Sequence, residues 1–559
     1  MSELTHRLVT ESGRPSDRFH LGKLILQGLS DAPDLILQID GATGARESSA
    51  SVLRRSVKCA RALRARGVRR GDVMVFMAPS YLDLCIPYYA ALYLGLAIAP
   101  VDWKLTIVEL QHFFSINRPK VIFCESNKVA DVQKVLETLK LDADILAFDQ
   151  TDDRISSFQQ FLQMHGNDES IDDFKAEDFD PEDTIAFLVP TSGTTGLSKL
   201  ISCCHKSILC NFLFNSSVFN NFPTPTNMAL ILSPLQWMSA VIAINFTPIL
   251  RMTRLQTSKE FTKQHSYDLI NTYKPTFTLV SPTFMTMLTN NSETCDFTSF
   301  RCIFLGGSAV SVELIEKLKI LAPDATVLNV YGMSELSGFL LDPTSDVTGS
   351  SGKPSGHLQY RLVATDTGKD IVEANVTGEL WVKGPAVMKV GENWLMIMKY
   401  MLNQDVKWNL YLQGYYRNED ATKETINEDG WLKTGDLLYR DDYWNFFFVE
   451  RYKLLLKYRN HHISPSEIEE VIRGHPSVEE VAVGGLPDPE CGELPVACVV
   501  RRQGSGVAAQ DIKDLVKGTL TDTKQLRGGV IFLEQLPLTP SGKINRTRVK
   551  ELIRSMARE

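Results

Sequence analysis

An α/β chain, with a large N-terminal domain of βαβ layers and a small α+β C-terminal domain, is predicted by three features of the sequence. Short apolar runs of strand length alternate with segments of helical periodicity along most of the chain, the pattern of parallel sheets covered by helices. The chain has 559 residues, whereas a single core stops growing at roughly 250 to 300. Its final segment, from residue 464 onward, has its own helix start and strand runs, as a small separate domain requires.

Taken in order, Val52, Leu53, Val57, Ala60 and Leu63 fall at helical spacing and Gly67 follows as a helix stop. Runs 73–77, 97–101, 121–123, 145–148, 184–189, 228–232, 278–280 and 302–305 are apolar, as strands buried on both faces are. The longest apolar stretch, 85–101, contains Pro87 and Pro100. It reads as a buried helix running into a strand, because a membrane span needs ~18 to 20 uninterrupted apolar residues. Residues 172–183 are acidic and poor in large apolar side chains, so a solvated connection is expected there. Near the end, Ser464-Pro465-Ser466-Glu467 opens a helix, and strand-like runs follow at 478–483 and 496–501. No repeat of solenoid period is present.

Hydrophobic residues make up 44% and charged residues 23%, the composition of a folded globular chain. Lys and Arg total 59 against 67 Asp and Glu, a net charge of -8 without long blocks of one sign. Nucleic acid is therefore not an expected partner. The ten cysteines, including adjacent Cys203 and Cys204, lack zinc-ligand spacing and the density of a disulfide scaffold, which points to a reducing compartment. The cytosol is expected. The first residues carry no signal-peptide core, no run is long enough for stable membrane insertion, and Ala557-Arg558-Glu559 is not a peroxisomal address. Arg7, Arg14 and Arg18 leave a mitochondrial destination open. A monomer or weak homo-oligomer acting on small molecules is expected.

The most informative segment, Thr191-Ser192-Gly193-Thr194-Thr195-Gly196-Leu197-Ser198-Lys199, directly follows the strand run 184–189. Glycines let backbone N–H groups approach a polyphosphate, hydroxyls donate to its oxygens, and a lysine supplies a mobile cation. The NTPase P-loop pattern is absent, and the alternative for this segment alone is a flexible surface turn. Asn329-Val330-Tyr331-Gly332-Met333-Ser334-Glu335 offers an aromatic face, a close-approach glycine, a hydroxyl and a carboxylate, a set that suits a stacked purine with phosphate and Mg²⁺ nearby. Trp431-Leu432-Lys433-Thr434-Gly435-Asp436 ends in an aspartate placed to accept ribose hydroxyls, or to make an ordinary turn. Glu450-Arg451-Tyr452-Lys453-Leu454-Leu455-Leu456-Lys457 leads into the small domain, and Ser541-Gly542-Lys543-Ile544-Asn545-Arg546 sets a lysine on a Pro/Gly-rich loop.

These five motifs occur in the order found in the adenylate-forming superfamily of acyl-CoA synthetases, peptide-synthetase adenylation domains and beetle luciferases, and the chain resembles that superfamily from about Gly71 to Lys550. It looks most similar to the insect luciferase and 4-coumarate-CoA ligase branch, through Gly306-Gly307-Ser308, Gly378-Glu379-Leu380-Trp381 and Phe446-Phe447-Phe448-Val449-Glu450-Arg451. The resemblance implies an adenylate-forming domain over residues 1–452 and a small mobile lid domain over 453–559. It implies ATP, Mg²⁺ and coenzyme A as co-substrates and cofactor of an acid-CoA ligase. Thr191, Ser192, Gly193, Thr194, Thr195, Gly196 and Lys199 would hold the ATP phosphates. Tyr331 and Gly332 would cover adenine beside Gly306, Gly307 and Ser308. Ser334 would reach the α-phosphate, Glu335 would ligate Mg²⁺, and Asp436 and Arg451 would hold the ribose. Lys543 would act in adenylation, Lys457 in the second half-reaction, and Lys453 as the hinge between the two poses. Trp237 and Met238 would border the pocket for a medium- or long-chain fatty acid.

Three positions depart from that pattern. Gln236-Trp237 stands where relatives often have a histidine, Val330 replaces a glycine common in luciferases, and Asn460 replaces a glycine of the coenzyme A tunnel. A luciferase-like monooxygenase, an adenylate-forming enzyme without transfer to coenzyme A, and an inactive nucleotide-binding scaffold are the alternatives, although Lys199, Glu335, Asp436 and Lys543 are all in place. Residues 390–413 interrupt the run that joins Pro385-Ala386-Val387-Met388-Lys389 to Gly414-Tyr415-Tyr416 in relatives. Valine codons begin with GT and a glutamine codon can end in AG, so Val390 to Gln413 reads either as a retained intron or as a genuine surface insertion. The intron reading predicts a native peptide running Met388-Lys389-Gly414-Tyr415, and mass spectrometry finding only insert-bearing peptides in active native enzyme would reject it.

Overall fold

The computed structural model describes residues 19–149, 156–165, 170–190, 199–209, 228–290, 294–343, 347–355, 358–384, 414–458, 461–488, 491–520, 522–539 and 543–559. Two compact units are present: one contains the described residues up to Gln359 together with Lys383–Trp431, the other Tyr360–Val382 and Leu432–Glu559.

The eight apolar runs form strands, and in the first unit these build two sheets. A six-stranded sheet runs in the order Asp144–Ala147, Val121–Cys124, Val73–Met77, Ala97–Pro100, Ile185–Pro190, Leu200–Cys204. All of its neighbours are parallel except the last pair. A seven-stranded sheet runs Thr326–Val330, Cys302–Gly306, Phe277–Val280, Met228–Leu230, Thr253–Gln256, Ile36–Asp40, Arg46–Ser48, again with one antiparallel pair at its edge. Hydrophobic layers cover these strands on both faces, which is why their sequences are continuous apolar runs rather than alternating ones. The stretch 85–101 is a helix, Cys85–Leu94, with every side chain buried, followed by the strand Ala97–Pro100. Gly95 ends the helix in the left-handed region at φ +67 and returns its N–H to Ala91 O.

The second unit holds a four-stranded sheet, Gln359–Val363, Gly378–Lys383, Leu432–Arg440, Phe446–Arg451, and a five-stranded one built around the antiparallel pair Val478–Asp488 and Gly492–Arg501. Helices Pro465–Arg473, Ala509–Thr519 and Arg546–Ser555 pack on the latter, an α+β arrangement. Proline occupies the first turn of Pro465–Arg473, where its missing N–H costs nothing. Among the described residues no helix is long and apolar enough to cross a membrane.

The connection over 172–183 corrects the sequence reading. It has no regular structure, but it is pinned to the core: Phe174 and Phe179 are buried, and buried Glu182 is ion-paired to Lys206. Phe179 stacks on His20 at 3.8 Å and lies 4.9 Å from His205. Two aromatic anchors and one paired acid outweigh the acidic composition that suggested solvation. His20 keeps a hydrogen bond to Glu177 O at 2.9 Å, whereas neither ring nitrogen of buried His205 has a partner among the described residues.

Burial holds the His20 imidazole down at about 3, and burial followed by the neighbouring His20 holds His205 well below its ordinary value. Both rings are neutral in the folded chain and charge on unfolding below about pH 6.5. The unfolded state therefore binds more protons below that pH, and stability falls as pH drops from about 6.5 toward 3. His205→Phe is expected to flatten that dependence and to leave stability at neutral pH equal or higher, since it removes two unpaired buried nitrogens. Urea midpoints for both proteins at about pH 7.5 and about pH 5 check this; an unchanged pH difference contradicts it.

Candidate active site

In the first unit, three chain segments converge at the end of the strand pair Ile185–Pro190 and Leu200–Cys204, whose last registered pair is Pro190 with Leu200. Thr191, Ser192, Gly193, Thr194, Thr195 and Gly196, between those strands, lie outside the described residues. Lys199, on the return, is half-buried. Residues 414–416 lie along the same strand: Ser202 N donates to Gly414 O at 3.2 Å and Tyr416 N to Leu200 O at 2.7 Å. This pairing sets the Tyr415 ring under Lys199, with Nζ 4.8 Å from the ring centroid. On the ring's far end the Tyr415 hydroxyl donates to Glu335 Oε1 at 3.2 Å. Lys199, Tyr415 and Glu335 thus form one cation–aromatic–carboxylate row built from three separate stretches of chain.

Glu335 reaches this row because its backbone is tightly constrained. Strand Thr326–Val330 lies parallel to Cys302–Gly306, and Gly332 pairs with Phe339 in a short antiparallel ribbon. A Cβ on Gly332 would lie 2.5 Å from Gly338 O, so the ribbon closes only around glycine. Ser334–Leu336 is a single 3₁₀ turn, and Cys203 Sγ meets Ser334 O at 3.8 Å, tying that turn to strand Leu200–Cys204. Tyr331 is half-buried, Gly307 and Ser308 are exposed, and Gly307 takes φ +94. A Cβ on Gly306 would meet Val330 Cγ2 at 2.5 Å, so the space beside Gly306 is already taken by the valine.

Beside this edge of the seven-stranded sheet lies an apolar cavity of about 20 Å³, room for about one water. Ile242, Phe246, Phe277, Leu279, Phe304 and Phe339 supply most of its wall. Its helix, Met238–Leu250, starts after Trp237 as N-cap. Trp237 and Met238 are half-buried at the head of that helix but are not part of the cavity wall. The Trp237 indole N–H is buried without a partner among the described residues.

In the second unit, Asp436 and Arg451 are cross-strand partners, and Arg451 Nε donates to Asp436 Oδ1 at 2.9 Å. Gly435, at φ +71, sends its N–H to Glu379 Oε1 at 3.1 Å. Glu450 is buried and accepts from Ser464 Oγ, Ser466 N and Ser466 Oγ at 3.3, 3.0 and 2.6 Å, fixing the start of helix Pro465–Arg473. Lys453 falls in the turn Tyr452–Leu454, and Lys457 in strand Leu456–Tyr458, registered against His462. Lys543 is half-buried, and its carbonyl accepts from Thr539 N at 2.7 Å. Arg546, three residues on, clamps the buried carboxylate of Glu469 with Nη1 and Nη2 at 2.5 and 3.1 Å. Burial pulls the Arg546 pKa down, and Glu469 more than restores it. Asn460 and the insertion at 390–413 lie outside the described residues.

Sequence reasoning missed Tyr415 and Glu450. Tyr415 sat in a Gly-Tyr-Tyr run whose only local signal was aromatic, and its role depends on pairing with a strand more than two hundred residues earlier. Glu450 was quoted within a motif but without a partner.

The chain belongs to the AMP-binding enzyme family: that family's model matches residues 30–390, and the model of the AMP-binding enzyme C-terminal domain matches residues 467–543. Its homologues include luciferases and 4-coumarate–CoA ligases, members of the adenylate-forming superfamily. It is 32% identical over 512 residues to the luciferin 4-monooxygenase of Photuris pensylvanica, covering 89% of this chain and 88% of that protein. It is 28% identical over 535 residues to 4-coumarate–CoA ligase 4 of Arabidopsis thaliana, covering 93% and 88%. Its fold matches ATP-bound MatB from Rhodopseudomonas palustris with a TM-score of 0.81 at 23% identity, over 96% of this chain and 99% of that one.

Proposed function

We propose that this chain uses ATP and Mg²⁺ to convert a medium- or long-chain fatty acid into its acyl-adenylate and passes the acyl group to coenzyme A. The observation that carries the proposal is the Lys199–Tyr415–Glu335 row, with Glu335 held next to the ribbon that pairs Gly332 with Phe339. Lys199 and the loop over 191–198 meet the phosphates, and Tyr331 stacks on the adenine beside Gly306, Gly307 and Ser308. Ser334 reaches the α-phosphate, and Asp436 and Arg451 take the ribose. Among the described residues no group of three or more His, Cys, Asp or Glu is set to hold a metal. A single carboxylate fits Mg²⁺, which is usually held by one or two carboxylates plus substrate phosphates and water. Glu335 has one oxygen on Tyr415, so its carboxylate is oriented before any ion arrives.

In the first step a carboxylate oxygen attacks the α-phosphorus and the bond to the bridging oxygen breaks, so pyrophosphate leaves with the electron pair. Lys543 neutralises charge gathering on those oxygens. In the second step the thiol of coenzyme A gives up its proton and attacks the acyl carbon, and AMP leaves. Lys457 serves that step, and the boundary at 452/453, with Lys453 as hinge, separates the two lysines in time.

The match to luciferases supports a second reading, oxidation of the adenylate with light emission. Val330, 5% exposed, fills the space beside Gly306 and leaves less room there for a flat, bulky acid. Incubation with ATP, coenzyme A and a fatty acid is expected to yield acyl-CoA by mass spectrometry. Light emission from luciferin without any thioester product sinks the ligase reading.

A further inference from the structure

Backbone and side chain of Tyr415 are both fixed. The backbone pairs with Ile201 in an antiparallel bridge, and its N–H donates to Thr422 Oγ1 at 2.9 Å, in the short helix Glu419–Thr425 that Asn418 caps. The ring lies under Lys199, with Nζ 4.8 Å from the centroid, and the hydroxyl donates to Glu335 Oε1 at 3.2 Å. Glu335 sits in the turn Ser334–Leu336, which Cys203 ties to strand Leu200–Cys204, and residues 414–416 run along that same strand. Tyr415 and Glu335 are therefore held against one strand, and the contact between their side chains is built into the fold.

That contact decides how much of the carboxylate is left for an ion. A carboxylate oxygen that accepts from a phenol has a lone pair committed, and here that oxygen is Oε1. Ligation through both oxygens would set an ion and the phenol proton in competition for Oε1, whereas ligation through Oε2 alone leaves the phenol in place. The two common hard cations differ on this point. Mg²⁺ demands a near-ideal octahedron of oxygens at about 2.0 to 2.1 Å, made from one or two carboxylates, phosphates and water. Ca²⁺ accepts roughly six to eight oxygens at about 2.3 to 2.6 Å and takes carboxylates in one- or two-oxygen fashion. A carboxylate held to one oxygen suits the first ion and withholds from the second a ligand atom that its larger shell can use.

We infer that Tyr415 is a positioning residue that keeps Glu335 a one-oxygen metal ligand, so that the site takes the Mg²⁺ complex of the nucleotide in preference to the Ca²⁺ complex. The inference rests on reading Glu335 as the Mg²⁺ ligand of the proposed enzyme. The test uses α,β-methylene-ATP, from which pyrophosphate cannot leave. It is titrated calorimetrically into the full chain and its Tyr415→Phe and Glu335→Gln variants, with excess Mg²⁺, with excess Ca²⁺ and with EDTA. Phenylalanine keeps a ring under Lys199 and removes only the hydroxyl. The wild type is expected to bind the Mg²⁺ complex at least about tenfold more tightly than the Ca²⁺ complex, and Tyr415→Phe to reduce that ratio at least about fivefold with its metal-free Kd unchanged. A wild type without the preference, or a Tyr415→Phe protein that keeps the wild-type ratio, overturns the inference. So does a Tyr415→Phe protein whose metal-free Kd shifts together with the other two, which a merely structural role for the hydroxyl would produce. Glu335→Gln separates this inference from the reading beneath it: that variant is expected to bind the two metal complexes within about twofold of each other. If it keeps the wild-type ratio, Glu335 is not the metal ligand and both statements fail.

Discussion

Replacing Lys543 by alanine is expected to lower acyl-adenylate formation by two to three decades, roughly 3 to 4 kcal/mol of transition-state stabilisation, while ATP affinity stays within a few-fold of wild type. The attacking carboxylate and the α-phosphate are both anionic, so a cation that arrives only for this step stabilises the transition state without holding the ground state. Thr539 N donates to Lys543 O, and Arg546 anchors the following helix on buried Glu469. Loss of the ammonium should therefore leave the fold in place. Acid-dependent pyrophosphate exchange and ATP titration measure the two effects separately. A variant that exchanges at the wild-type rate removes Lys543 from the chemistry.

Lys457→Ala is expected to separate the half-reactions. Thioester formation from preformed acyl-adenylate should fall at least about tenfold further than adenylation does. Lys457 lies in strand Leu456–Tyr458, past the turn that contains Lys453, while Lys543 lies shortly before helix Arg546–Ser555. Two lysines on different elements of the small domain, each serving one half-reaction, are the reason for the expected split. Single-turnover assays started from acid plus ATP, and separately from acyl-adenylate plus coenzyme A, read it directly. Equal losses in both count against the hinge at Lys453.

The parallel sheets were legible in the sequence because strands buried on both faces leave continuous apolar runs, and all eight of those runs became strands. The four-stranded sheet of the second unit was less so. In Leu432–Arg440 burial alternates over the first residues and then becomes continuous, and a bulge shifts the register against Phe446–Arg451, so no single period describes it. Asp436 and Arg451 were picked from their motifs, but their 2.9 Å contact follows from cross-strand register that composition does not encode. Arg254 was invisible for a related reason. Thr-Arg-Leu-Gln has the alternation of an exposed strand, yet both faces are buried, and the arginine is tolerated only because Gln38, Tyr89, Thr247 and Gln256 arrive from distant stretches. Lys199 and Glu335 were read as phosphate and metal ligands separately; the tyrosine between them required the tertiary fold.

Formation of acyl-adenylates and their transfer to coenzyme A are both read by pyrophosphate release over a panel of carboxylic acids, with and without coenzyme A. Release is expected to depend on acid, to stop after a single turnover without coenzyme A, and to continue with acyl-CoA accumulating when the thiol is present. ATP consumption that ignores every acid, or no consumption at all with Lys199, Glu335, Asp436 and Lys543 intact, would contradict it.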